Sequence, residues 1–286
     1  MKVSVIIPCF NNASTLPIQL EALAKQQYAQ DWEVILADNG STDGTLKVGY
    51  EFGDRLPNLH VLNASKVAGS GYARNLAAKV ARGEFLLFCD ADDEVGDGWL
   101  AAMDAALQKH DFVGGHLEYW RLNKPWVVRA CDCEDGRGLF ESGYLKFAGG
   151  CNLGIRRTLH QAVGGFDEAL MRLQDVDYCW RVQQAGFALR YAPEAVVHFR
   201  LRASISSNCR RAFNFGYTEP FLYQKHRSKG MPQILTWKSM VKTLVLSPVR
   251  MAINVRDKST FCKELMECCW RIGEVYGCIK HRYLPI

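Results

Sequence analysis

Short apolar runs alternate with stretches of helical spacing along residues 1–199. The runs at 3–7, 32–36, 60–62, 85–89, 112–114, 151–155 and 195–199 predict strands. The segment 14–27 places Leu16, Leu20, Leu23 and Ala24 on one helical face, with Pro17 tolerable in a first turn. Helices are also predicted over 69–80, 99–109, 157–163 and 175–185, the last with Val176, Cys179, Trp180 and Gln183 on one side. Ser41 or Thr42 is placed to cap a helix after the second strand. Strands alternating with helices imply a mostly parallel sheet covered on both faces. Ligands of such sheets sit beyond the carboxyl ends of the strands.

From 115 to 150 the pattern is irregular, and after 205 strand signals stop. Phe261, Leu265, Cys268, Ile272, Val275 and Ile279 recur at helical steps, and 244–255 is a second apolar stretch broken by Pro248.

Composition narrows the class. At 286 residues with 48% hydrophobic and 23% charged side chains, the chain is one large or two small globular domains. No apolar run approaches the roughly 18 to 20 residues of a membrane span, and the first ten residues lack a cleavage site. A cytoplasmic protein is expected. Eleven cysteines, several inside apolar runs, read as small buried hydrophobes in a reducing compartment, without the spacing of a zinc site.

The net charge of +5 is an average of unlike parts. Residues 1–199 hold 19 Lys and Arg against 25 Asp and Glu, a balance of −6. Residues 200–286 hold 16 against 5, a balance of +11. The first part needs cations at its acidic clusters; the second suits an acidic partner.

Candidate chemistry falls at strand ends. Asp38 opens a polar turn after the second strand and is able to accept hydrogen bonds from a base or ribose. Asp90, Asp92, Asp93 and Glu94 crowd four acids into five residues after an apolar strand, a set suited to Mg²⁺ or Mn²⁺. Asp175 and Asp177 stand at a helix start, where acids are favoured in any case. His198 lies on the last strand, and a lone histidine gains meaning only beside the carboxylates. The segment 69–74 is a poor dinucleotide loop, since Arg74 replaces the third glycine.

The clusters, taken in order, resemble glycosyltransferase family 2, inverting sugar transferases of GT-A fold. The matching pieces are 3–8 with Asn11 and Asn12, 37–45, Ala73-Arg74-Asn75, 83–85 leading into 90–93, 164–168 and 174–177. They cover about residues 1–205. The resemblance implies a GT-A catalytic domain over 1–205, with a nucleotide-binding half at 1–114 and an acceptor and base half at 115–205. Residues 206–286 then form a basic helical extension. It also implies that Asp38, Asn39 and Pro8 hold the nucleotide and that Arg74 approaches the diphosphate. Asp90 and Asp92 resemble a DxD pair, with Asp92 the metal ligand and Asp90 on the ribose or the metal's water shell. His198 resembles a late histidine that completes the metal site, and Asp175 the catalytic base. Gln174 stands where the family commonly has Glu.

The expected partners are a nucleotide-diphosphate sugar, Mn²⁺ or Mg²⁺, and a glycan or lipid-linked acceptor in cell-surface polysaccharide or glycolipid synthesis. A member that binds donor without turnover is one alternative. Another phosphate-handling enzyme is a second, but the loop after the first strand lacks the glycines and cations that it needs. The tail's aromatics have spacings that suit stacking on nucleic acid, but they fit core packing equally well, and no nucleic-acid partner is expected. Its basic helices have two open readings, a peripheral contact with an anionic membrane or packing on the catalytic part or across a homodimer.

Overall fold

The computed structural model describes residues 1–56, 58–141, 143–233 and 236–284, with the side chains of 239, 240 and 244 outside the description. Leu244, where the sequence places the start of an apolar stretch, is therefore described in its backbone only. The chain forms two compact units, residues 1–118 with 136–200, and residues 119–135 with 201–286.

The first unit opens with β1 (Val3–Cys9), α1 (Leu16–Ala24), β2 (Trp32–Asp38), α2 (Thr45–Glu51), β3 (Leu59–Asn63), α3 (Ser70–Val80) and β4 (Phe85–Cys89). A two-residue β5 (Glu94–Val95), α4 (Trp99–Leu107) and β6 (Phe112–Glu118) follow. The chain then forms α5 (Pro125–Ala130) in the second unit and returns as β7 (Asn152–Arg156), α6 (Arg157–Ala162), α7 (Gln174–Gln184) and β8 (Arg190–His198). The eight strands lie in the order β3-β2-β1-β4-β7-β6-β8-β5. β3, β2, β1 and β4 pair in parallel, as do β6 and β8, while β7 and β5 run against their neighbours. The expectation of a mostly parallel sheet holds. Its physical basis is visible in β4, where all five side chains are buried, as suits a strand covered on both faces.

One consequence of this order positions the site. From β1 the chain winds outward through β2 and β3, then crosses back to place β4 on the other side of β1. The pairing of β1 with β4 stops at Ile6 and Phe88, so the two strands part toward their carboxyl ends. This is a topological switch point, the place where such sheets leave a crevice. Pro8 sits past that last pair, where its missing N–H takes no bond from β4. Because β7 runs antiparallel, its first residue, Asn152, pairs with Cys89 at the same edge.

Several boundaries differ from the sequence reading. β6 continues to Glu118, and α5 interrupts the stretch read as irregular. Neither Ser41 nor Thr42 caps α2. The N-cap is Gly44 in the left-handed region, and the Asp43 carboxylate accepts from the Thr45 N–H at 3.0 Å instead.

The second unit adds α8 (Ile205–His226), α9 (Trp237–Asn254) and α10 (Lys258–Lys280) to α5. Helix α9 runs through Pro248 rather than breaking there. A Cβ on Gly216, Gly273 or Gly277 would collide with the facing backbone at Trp270, Phe213 and Tyr217. Phe213 lies beside Gly273, and Tyr217 beside Gly277, so α8 and α10 advance in the same direction in contact. A reciprocal cap between Asp257 and Thr260 starts α10.

Candidate active site

The carboxyl ends of β1, β2, β4, β6 and β8 face one edge of the first unit's sheet. At the β1 and β2 ends, two loops are knitted together. The Asn11 side-chain oxygen accepts from the Thr42 N–H at 2.8 Å, and the Asp43 carboxylate accepts from the Ala13 N–H at 3.0 Å. Buried Asp38 turns its carboxylate onto the N–H groups of Gly40 and Ser41, closing its own turn. Asn39 donates to the carbonyls of Ala64 and Val67 and accepts from the Gly69 N–H at 2.8 Å. The Asn39 amide thus fixes the segment between β3 and α3 against the β2 loop. Half-buried Pro8 lies next to Cys9 on the same edge.

At the β4 end, Arg74 is 4% exposed and donates to Asp90 at 2.6 Å. Its guanidinium carbon lies 5.4 Å from the Phe166 ring centre. The adjacent Asn75 clamps Phe166 by donating to its carbonyl and accepting from its N–H, both at 2.8 Å. The same Asn75 amide reaches Glu168 at 2.8 Å. The motifs at 73–75, 90–93 and 164–168 are therefore one assembly, in which α3 grips the turn after α6 and presents a cation to the acidic loop.

Asp175 joins this assembly from the first turn of α7. Its carboxylate accepts from the Gly150 N–H at 3.1 Å and the Val176 N–H at 3.0 Å. Leu173 before it holds φ at 55°, a backbone state uncommon away from glycine and often stored at functional sites. A Cβ on Gly150 would lie 3.3 Å from the Arg74 guanidinium and 3.4 Å from the Asp175 Cβ, so these two side chains flank one glycine. Asp177 serves the scaffold instead. It is fully buried and pairs with Arg181 at 2.8 Å, and Arg181 also holds the carbonyls of Val163 and Gly165.

Asp90, Asp93 and Cys151 bring ligand atoms within 4.8 Å of one another, the one such three-residue cluster among the described residues. Asp93 accepts from the Arg200 N–H at 2.7 Å through one oxygen, while the other is buried without a hydrogen-bond partner. Burial, with Asp92 and Asp90 nearby, pushes the Asp93 carboxyl well above its ordinary range. Half-buried Asp92 supplies its carbonyl to the Arg200 side chain at 2.7 Å. His198, paired with Glu94 across β8 and β5, holds the Glu118 carboxylate through Nδ1 at 2.7 Å. That bond leaves Nε2 for another partner, the arrangement of a ligand histidine steadied by a carboxylate.

The donor chemistry fits a hard divalent cation. Three carboxylates crowd the end of β4, one oxygen is buried without a partner, and Arg74 neutralises only Asp90 directly. Asp92 and His198 belong to no three-ligand cluster among the described residues.

The sequence reading did not single out Gly150, Cys151, Asn152 or Glu118. Asn152 is a buried hub, accepting from the Trp99 indole at 2.8 Å and donating to the carbonyls of His116 and Ala195 at 2.9 and 2.8 Å. Gly115 is required there, because a Cβ would strike the Asn152 amide.

Residues 4–164 match Glycosyl transferase family 2. The chain belongs to this family. Glycosyltransferase AglE of Haloferax volcanii is 30% identical over 239 residues, spanning 82% of this chain and 74% of AglE. The poly(ribitol-phosphate) beta-N-acetylglucosaminyltransferase TarS of Staphylococcus aureus is 38% identical over 112 residues, which is 38% of this chain and 19% of TarS. Among solved structures, the mannosyltransferase PcManGT of Pyrobaculum calidifontis, in complex with GDP-Man and Mn²⁺, aligns over 96% of this chain and 87% of that one. Its TM-score is 0.64 at 16% identity. TarS in complex with UDP-GlcNAc aligns over 99% of this chain and 93% of that one, with TM-score 0.56 at 18% identity. The fold is thus GT-A, and the family makes the chain a glycosyltransferase, as the motifs led us to expect.

Proposed function

We propose that the chain is a metal-dependent, inverting glycosyltransferase that moves a sugar from a nucleotide diphosphate to an acceptor hydroxyl in the synthesis of a cell-surface polysaccharide or glycolipid. The observation that carries this reading is the meeting of Asp175 and Arg74 around Gly150, with Asp90 bonded to Arg74. A proton acceptor and a cation for the diphosphate stand side by side there. Relatives named as poly(ribitol-phosphate) transferases support a polymeric acceptor.

In this reading the donor lies in the crevice between β1 and β4. Pro8 and Asp38 line the base, and Asn39 keeps the adjoining loop in place. Arg74 turns toward the diphosphate, and Asp90 takes the ribose or the metal's water shell. Asp92 and His198 would hold Mn²⁺ or Mg²⁺, which would supply positive charge to offset that developing on the leaving diphosphate.

Asp175 takes the proton of the acceptor hydroxyl as its oxygen attacks the anomeric carbon. The bond to the diphosphate breaks on the opposite face, so the configuration inverts in one displacement. The Gly150 and Val176 N–H groups orient the Asp175 carboxylate, and the start of α7 favours its negative charge. A positioned base of this kind contributes about 10² to 10⁴ in rate. Gln174 cannot replace it, since an amide takes up no proton at neutral pH.

The deciding experiment is transfer or slow donor hydrolysis with a panel of nucleotide sugars and Mn²⁺. Asp175→Asn should bind donor normally and lose about 10² or more in turnover. Wild-type turnover in that variant would overturn the assignment of the base.

A further inference from the structure

Helix α9 carries a row of large apolar side chains turned to solvent. Val241, Val245, Val249 and Ile253 are 50%, 69%, 54% and 59% exposed, and Leu246 beside them is 41% exposed. Their four-residue spacing makes one continuous stripe along a helix of 18 residues, about 27 Å long. The side next to it is engaged with α10, where Arg250 pairs with Glu264 at 3.1 Å and Asn254 donates to the same carboxylate at 2.7 Å. The stripe is therefore the outward face of the helix. Exposed Lys238 and Lys242 interleave with it, and from Trp237 to Asn254 there are three basic residues and no acidic one.

We infer that α9 lies flat on an anionic lipid surface, with the valine row in the boundary between headgroups and acyl chains and the two lysines on the headgroups. Two features favour lipid over a second copy of the chain. Self-pairing through this stripe would bring Lys238 and Lys242 of both copies into an interface to which α9 contributes no acid, whereas anionic headgroups neutralise them. No helix among the described residues is long and apolar enough to cross a membrane, so the helix rests on the surface rather than spanning it. The long stems of the lysines follow the apolar face while their ammonium groups stay at headgroup level.

This inference goes beyond the transfer reaction and is tested without donor. The full chain is sedimented with phosphatidylcholine vesicles, with and without phosphatidylglycerol, at low and high salt. Wild type should co-sediment with the anionic vesicles and be released by salt. Lys238→Gln with Lys242→Gln should weaken that binding about thirty-fold. Val245→Glu with Val249→Glu should abolish it while leaving the melting temperature near wild type, because these side chains are already in water. Equal recovery with and without anionic lipid overturns the proposal. So does a wild-type dimer, seen by light scattering, that the Val245→Glu, Val249→Glu variant converts to monomer with unchanged lipid recovery.

Discussion

The backbone N–H of Gly150 donates to the Asp175 carboxylate at 3.1 Å, across 25 residues of chain. The loop entering β7 thereby sets the orientation of a helix-borne acid. A methyl group at position 150 would press on Arg74 and on Asp175 together, at 3.3 and 3.4 Å. If Asp175 is the proposed base, Gly150→Ala should lower kcat about ten-fold or more by displacing it, with a smaller change in donor KM. Steady-state kinetics with a fixed acceptor measure both.

Removing the Arg74 cation exposes a different dependence. Its side chain is 5% exposed and that of Asp90 is 32% exposed, so solvent screens the pair only partly. Arg74→Met leaves Asp90 beside Asp93 with no direct counter-charge. A loss of about 2–4 kcal/mol in unfolding free energy is expected, read from urea denaturation.

Glu118 acts through His198, which it steadies from behind at 2.7 Å. Glu118→Gln should weaken Mn²⁺ binding about 10- to 100-fold by calorimetry, and His198→Ala at least as much. Chelation should stop transfer and added Mn²⁺ restore it. Unchanged Mn²⁺ affinity in Asp92→Ala would remove Asp92 from the ligand set.

In the second unit, Glu219 and Glu274 share the Trp270 indole N–H, at 2.9 and 3.1 Å. Burial, then the charge of Glu274, raises the Glu219 carboxyl from an ordinary 4.5 to about 8. The folded chain therefore holds a proton there that the unfolded chain releases near pH 4.5. The stability this confers is complete below that value and is lost as pH rises toward about 8. Thermal melts of wild type should fall over this window. Glu219→Gln, which keeps an uncharged hydrogen-bonding group, should flatten the dependence and melt higher than wild type at alkaline pH.

Much of the fold and of the candidate site is legible from local pattern. Strands such as Phe85–Cys89 are read from their apolar runs, and Asp90, Asp92 and Asp175 from short motifs around them. What escapes depends on returns of the chain. Gly150 and Asn152 reach the site only because β7 runs back against β4, which no local signal announces. Glu118 lies beyond the expected end of its strand because the polar residues at the end of β6 hide its continuation. Pro248 reads as a breaker, yet α9 passes through it. The α2 cap differs from expectation because Asp43 lies nearer the first free N–H than either hydroxyl residue.

The common direction of α8 and α10 has an electrical outcome. Neighbouring helices that run opposite ways cancel each other's dipoles; these two add. Their starts, Ile205 and Lys258, carry two partial positive poles, and their ends, His226 and Lys280, two partial negative ones. Lys225, His226 and Lys280 occupy the last turns, where positive charge is favoured. Some of the cations that make residues 200–286 so basic thus answer the field of the helices they sit on, whereas Lys238 and Lys242, exposed in the first two turns of α9, answer no such field.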